Sequence, residues 1–317
     1  MRRNYRVFRM LKNTIKSIKA MIVLAIIPLM TGCSWTLFNS KGQVGKEQGN
    51  LIITAILLML IVVIPAILMT FAFAWRYRAG NKKAKYTPEW AHSTKVEVVV
   101  WGIPLIIIIA LAIIVWISTH RLDPYRPLES AKPPLTVEVV ATDWKWVFIY
   151  PEENIATVNE LYIPVDRPVS FQITSDSTMN TFFIPQLGGQ IYAMAGMRTQ
   201  LNLIADETGQ FDGISGNFSG PGFSDMKFIT HSTSDGDFQR WVSGIKAQNH
   251  PLSFSGFKTL ALPSEKHPVE HFSSVEPELF QRIIDQYMDS GMDRHADDAH
   301  AGMNMGSAEM PVNHAGE

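Results

Sequence analysis

The stretch Gly213-Ile214-Ser215-Gly216-Asn217-Phe218-Ser219-Gly220-Pro221-Gly222-Phe223-Ser224-Asp225-Met226 carries hydroxyls at Ser215 and Ser219 among glycines and ends on a thioether, Met226. A soft-metal electron-transfer centre needs thiolate sulfur and imidazole nitrogen, and this stretch supplies neither. The surroundings do not make good the lack. Residues 136–235 contain no cysteine and one histidine, His231. No folding of that region assembles two thiolates and two imidazoles.

Two further residues could do chemistry. Glu97, in Lys95-Val96-Glu97-Val98, opens a long apolar run. An ionisable group at a membrane boundary suits proton uptake; a solvated interface carboxylate beside Lys95 is the plainer reading. Cys33 is the only cysteine, which excludes a disulfide framework and a zinc cluster of cysteines. It follows Leu29-Met30-Thr31-Gly32 and an uncharged apolar run from residue 20. Before that run, residues 1–20 hold seven cations and no acid. A basic start followed by a short apolar run is a secretory signal. Its end resembles the bacterial lipobox, which would make residues 1–32 a lipoprotein signal peptide and Cys33 the acylated first residue. The other reading is a retained membrane segment with an inert thiol.

The elements that position these groups begin with two membrane spans. Residues 51–75 and 98–118 carry no charge, and each is long enough to cross about 30 Å of hydrocarbon at about 1.5 Å per residue. Pro65 and Pro104 lie inside them, and Trp75, Tyr77, Trp101 and Trp116 flank them, as interface aromatics do. The loop 76–95 holds Arg76, Arg78, Lys82, Lys83, Lys85 and Lys95 against Glu89. Positive loops stay in the cytoplasm. Residues 33–50 and everything after His120 are therefore expected outside, with the second span over 96–118 and a proline-rich linker over 119–134.

From there the apolar pattern has period two, as in Thr136–Val140, Val169–Ile173 and Leu201–Leu203. Turn residues separate these runs at Pro151–Asn154, Asp166–Pro168, Gly188–Gly189 and Gly220–Gly222. Short strands at regular spacing predict a β-sandwich over 135–235. Helical spacing follows in Asp237–Gln248 and Glu276–Ser290, with Leu279, Ile283, Ile284 and Tyr287 on one face. This gives an aromatic-rich helical extension over 236–290 and a polar, Met/His-rich tail over 291–317 expected to be disordered. A formal net charge of -1 gives no argument for nucleic acid.

Two N-terminal spans, a basic inner loop, an exported sandwich, the run Asp143-Trp144-Lys145-Trp146 and the late turn-rich stretch together resemble subunit II of the haem–copper terminal oxidases. The resemblance covers about residues 40–235. The aromatic-rich extension is similar to the quinol-oxidising branch, the cytochrome bo-type ubiquinol oxidases. It implies two transmembrane helices followed by a cupredoxin-like periplasmic β-sandwich with a helical C-terminal extension. In the cytochrome c branch the late loop holds a dicopper centre. Laid on this chain, its cysteines become Ser215 and Ser219, its glutamate Asn217, its late histidine Phe223 and its early histidine Asn180. Only Met226 survives, as an apolar filler. Trp144, aligned with that branch's electron-entry tryptophan, becomes a packing residue.

The resemblance implies a subunit with no redox metal of its own. Electrons reach a partner subunit I from ubiquinol within the bilayer, and that partner holds the haems and one copper. Smaller subunits III and IV complete the complex in the bacterial inner membrane, where this chain is a multi-pass lipoprotein. Glu97 aligns with a carboxylate at the mouth of a proton channel. Two rivals stand beside this reading. A cytochrome c oxidase subunit II gains support from the 12 acids against 4 bases of residues 136–235, since an acidic face suits a basic partner. A membrane-tethered copper carrier would use His295, His300, Met303, Met305 and His314 of the tail.

Overall fold

The structure, a computed structural model, describes residues 38–85 and 87–288. Cys33 and the Met/His-rich tail lie outside the described residues.

Helix α1 spans Gln43–Arg76 and α2 spans Thr94–Arg121. Both are long and apolar enough to cross a membrane. Leu57, Leu68, Phe71, Val98, Ile106 and Trp116 stand exposed along them. A helix apolar on all sides needs an environment other than water. Their hydroxyls are satisfied within the helix, as hydrocarbon demands. Thr54 donates to Asn50 O at 2.8 Å and Ser118 to Ile114 O at 2.7 Å.

The first helix starts at Gln43, two turns ahead of its uncharged run, because its outer end is fastened to the sandwich. Gly45 N–H donates to Leu187 O at 3.0 Å, and Gly42 forms a bridge with Ala205. A Cβ on Gly42 would meet Leu187 O and Ile204 O at 2.6 Å, so the contact requires glycine. The ion pairs Lys41–Glu207 and Lys46–Asp206, both 2.7 Å, flank it.

Thirteen strands follow among the described residues: β1 Leu135–Thr142, β2 Lys145–Tyr150, β3 Ile155–Val158, β4 Glu160–Pro164, β5 Val169–Ser175, β6 Asn180–Phe183, β7 Ile191–Ala193, β8 Thr199–Leu203, β9 Gly209–Ser215, β10 Lys227–Thr233, β11 Pro251–Leu252, β12 Glu270–Phe272 and β13 Ser274–Val275. Helices α3 Asp235–Lys246 and α4 Phe254–Leu260 interrupt the later ones, and α5 occupies 279–288. The main sheets run β12-β3-β2-β1-β5-β8 and β4-β10-β9-β6-β7; β11 and β13 pair separately. Between the main sheets lie Trp146, Phe148, Phe171, Phe182 and Phe228, all buried. Phe182 and Phe228 stack with centroids 5.3 Å apart.

The extension is part of this fold. Its strand β12 pairs antiparallel with β3, Glu270 opposite Val158, and so forms an edge of the larger sheet. Its apolar side chains cover that sheet's outer face. Val140, Val147, Ile149 and Val158 pack there against Phe257, Phe272, Phe280 and Ile283. Strand β2 is consequently buried at every residue, because each of its faces meets a separate core.

Candidate functional site

Strand β6 begins and β9 ends at one end of the smaller sheet, with Phe182 opposite Ser215. That register sets Asn180 beside Ser215. The Ser215 hydroxyl donates to Asn180 Oδ1 at 2.9 Å, and Asn180 Nδ2 donates to Thr178 O at 3.2 Å. Both residues are buried. Beyond Ser215 the loop turns back through a short 3-10 helix, Pro221–Asp225. Asn217 Nδ2 donates to Met179 O at 2.9 Å, which holds this loop to the one before β6.

Trp144 lies against the same loop. It has φ 68° in the β1–β2 turn, a left-handed conformation that L-residues rarely adopt. Its indole Nε1–H donates to Ser219 O at 3.1 Å. The ring lies so close to Gly222 that a Cβ there would meet its atoms at 2.4–2.6 Å. Met226 is buried in the inter-sheet core, 1% exposed, and its carbonyl accepts from Ser215 N–H at 3.3 Å. Phe223 packs edge-on to Phe218, with centroids 5.7 Å apart.

The fold thus places Asn180, Ser215, Asn217, Ser219, Phe223 and Met226 around one loop at the sandwich end. Their donor set does not fit a dicopper centre. A hydroxyl remains protonated at neutral pH, a primary amide is a poor soft-metal ligand, and a phenyl ring offers no lone pair. The Asn180 and Ser215 side chains are bonded to each other. The buried Ser219 hydroxyl has no hydrogen-bond partner among the described residues.

Lys145, beside Trp144, turns the other way. Its side chain is buried toward the extension, donating to Leu262 O at 2.8 Å and Asp143 O at 3.3 Å. Burial lowers its pKa, while Asp143 and Glu270 oppose that shift. The outcome is a lysine that ties the β1–β2 turn to the segment after α4.

Glu97 lies elsewhere, in the first turn of α2, with its N–H on Ser93 O at 3.0 Å. Its carboxylate Oε2 is 3.2 Å from His92 Nε2. His92 carries no motif of its own in the sequence. The available signal was an imidazole just ahead of a helix start whose first turn carries the acid. His231 stands out in the sequence only as the one imidazole of residues 136–235. The fold brings it and His271 to the two carboxylate oxygens of Glu160, at 3.4 and 2.7 Å. Tyr162 stacks between His231 and Trp241, at 4.4 and 4.3 Å. His271 comes from β12 and Glu160 from β4, so the pair joins the extension to the smaller sheet.

Two family models match this chain. The periplasmic domain of cytochrome c oxidase subunit II matches residues 151–233, and the COX aromatic rich motif matches residues 246–291. The cytochrome bo(3) ubiquinol oxidase subunit 2 of Pseudomonas putida is 57% identical over 266 residues, covering 84% of each chain. That of Pseudomonas aeruginosa is 59% identical over 263 residues, covering 83% of this chain and 80% of the relative. The ubiquinol oxidase subunit 2 of Acetobacter aceti is 53% identical over 261 residues, covering 82% and 85%. An identity of this size over more than four-fifths of the chain decides the branch: this chain belongs to the subunit 2 family of the cytochrome bo(3)-type ubiquinol oxidases.

Proposed function

We propose that this chain is the metal-free subunit II of a proton-pumping ubiquinol oxidase. Its ectodomain takes no part in relaying electrons. The observation that carries this reading is the loop at the sandwich end, where six positions on and beside it present two amides, two hydroxyls, a phenyl ring and a buried thioether. A single-electron carrier in the periplasm has no stepping stone there. Ubiquinol delivers its electrons from the bilayer to the haem-bearing subunit I, where the haems and one copper reside, and subunits III and IV complete the assembly.

Glu97 serves as the entrance group of a proton channel shared with subunit I. The placement of Glu97 in the first turn of α2, 3.2 Å from His92 Nε2, supports that role. Cys33 carries a lipid on the outer leaflet of the inner membrane. One acyl chain binds a membrane only marginally, so the helices are the anchor and the lipid is an accessory.

Assay of the purified complex tests the reading. Turnover with ubiquinol and none with reduced cytochrome c is expected, with one copper per complex. Two additional coppers with a mixed-valence signal would establish the cytochrome c reading instead.

A further inference from the structure

The outer end of the helix pair opens into a cavity of about 310 Å³ between α1, α2, the following linker and the sandwich rim. Along Glu47, Arg121 and Leu122 it joins a second hollow of about 250 Å³, which reaches between the helices past Leu51 and Ile117. A cavity of this size is at the lower end of those that hold small molecules. Its wall is built in advance. Asn202 Nδ2 donates to Pro124 O at 3.0 Å and to Arg126 O at 3.2 Å, which fixes the linker on the sandwich.

The upper cavity carries both signs of charge. Arg121 and Arg126 line it together with Glu47, Asp123 and Glu129. The Arg121 guanidinium is 3.8 Å from Glu47 Oε1 and donates no hydrogen bond among the described residues. A simple anion would meet three carboxylates here, and a simple cation two guanidiniums. A head group with both a phosphate and an ammonium satisfies the two sets together. The lower hollow sets Leu51, Ile117 and Leu122 beside Asn50, Thr54 and Ser118, so an acyl chain has apolar side chains to follow into it.

We propose that the cavity and the hollow below it bind one zwitterionic phospholipid of the outer leaflet, with an ethanolamine head group. Its phosphate lies on Arg121 and Arg126, its ammonium faces the carboxylates, and an acyl chain enters past Leu51 and Ile117. The inference rests on the membrane-spanning reading of α1 and α2. Charge-assisted bonds from guanidinium to phosphate are the strong contacts of such a site.

Native mass spectrometry of the purified complex, delipidated in detergent, is the test. The native complex is expected to retain phosphatidylethanolamine. The double variant Arg121→Gln, Arg126→Gln should bind it at least about tenfold more weakly, equivalent to about 1.4 kcal/mol. Leu128→Trp, which fills the cavity without altering a charge, should do the same. Equal retention in all three, or selective retention of phosphatidylglycerol, overturns the proposal. So does a cryo-EM map with a neighbouring subunit's side chains in the cavity. If the chain does not co-purify with a haem protein, the oxidase reading fails. Lipid retention is then measured on the full-length chain alone.

Discussion

The Ser215 hydroxyl donates to Asn180 Oδ1 at 2.9 Å, and both side chains are buried. This bond joins the end of β9 to the start of β6, where the family resemblance sets a copper ligand on each side. A polar pair inside a sandwich end must be mutually satisfied, since an unpaired buried polar group is costly. Ser215→Ala leaves the Asn180 oxygen without its donor. A loss of about 1–3 kcal/mol in ectodomain stability is expected, read by denaturant-dependent proteolysis of the purified complex. Quinol turnover should not change; a loss of turnover with stability intact would give this loop a direct part in the reaction.

Gly222 and Trp144 make a second prediction. A methyl group at Gly222 enters the space of the indole, within 2.4 Å of its nearest atom. The loop or the ring must move, and overpacking of this kind costs about 1–3 kcal/mol. Gly222→Ala should therefore shift the loop and destabilise the ectodomain. The combination with Trp144→Ala should recover part of the loss, since the clash then disappears. Additive losses in a double-mutant cycle would contradict the contact.

The extension is held in part by a carboxylate that burial disfavours. Asp176 accepts hydrogen bonds from Gln286 and Tyr287 of α5. Burial, the largest effect, raises its pKa, against those bonds, which lower it; Asp143 and Lys258 add smaller opposing shifts. The Tyr287 phenol beside it is pushed up to about 12, mainly by burial and then by Asp176. A carboxyl whose folded pKa exceeds its unfolded value of about 3.9 binds more protons when folded. Its contribution to stability is complete below that unfolded value and is lost as pH rises through the folded one. Hydrogen exchange in 279–288 should therefore slow as pH falls across that window, after correction for intrinsic rates. Asp176→Asn should flatten this dependence and protect α5 at neutral pH.

Glu97→Gln is expected to slow quinol turnover several-fold or more while haem content and assembly stay intact. His92→Ala, which removes the imidazole 3.2 Å from that carboxylate, should give a smaller decrease in the same direction. Unchanged steady-state turnover at saturating quinol in both variants would leave the pair as a solvated interface contact.

The apolar runs of residues 51–75 and 98–118 made the two helices legible, because crossing a membrane demands length and composition alone. Period-two alternation exposed β1, β5 and β8, each of which keeps polar side chains outward at alternate positions of its first half. It gave no comparable sign of β2. Lys145-Trp146-Val147-Phe148-Ile149-Tyr150 reads as a continuous apolar run after its lysine, since the extension covers a second face of that strand. The early start of α1 was hidden for a related reason: its polar first turns are held by contacts to Leu187 and Ala205, far along the chain.

The sequence by itself determined what is missing. A region with no cysteine and one histidine excludes a thiolate–imidazole centre whatever its fold, because side-chain chemistry does not depend on tertiary placement. Only the tertiary structure decided what stands in its place. It put Asn180 against Ser215 and Trp144 against Gly222, set His92 beside Glu97, and joined Glu160 to His231 and His271. Except for the near neighbours His92 and Glu97, these pairs are far apart in sequence. Strand register and sheet packing bring them together, and no local pattern of residue types records either.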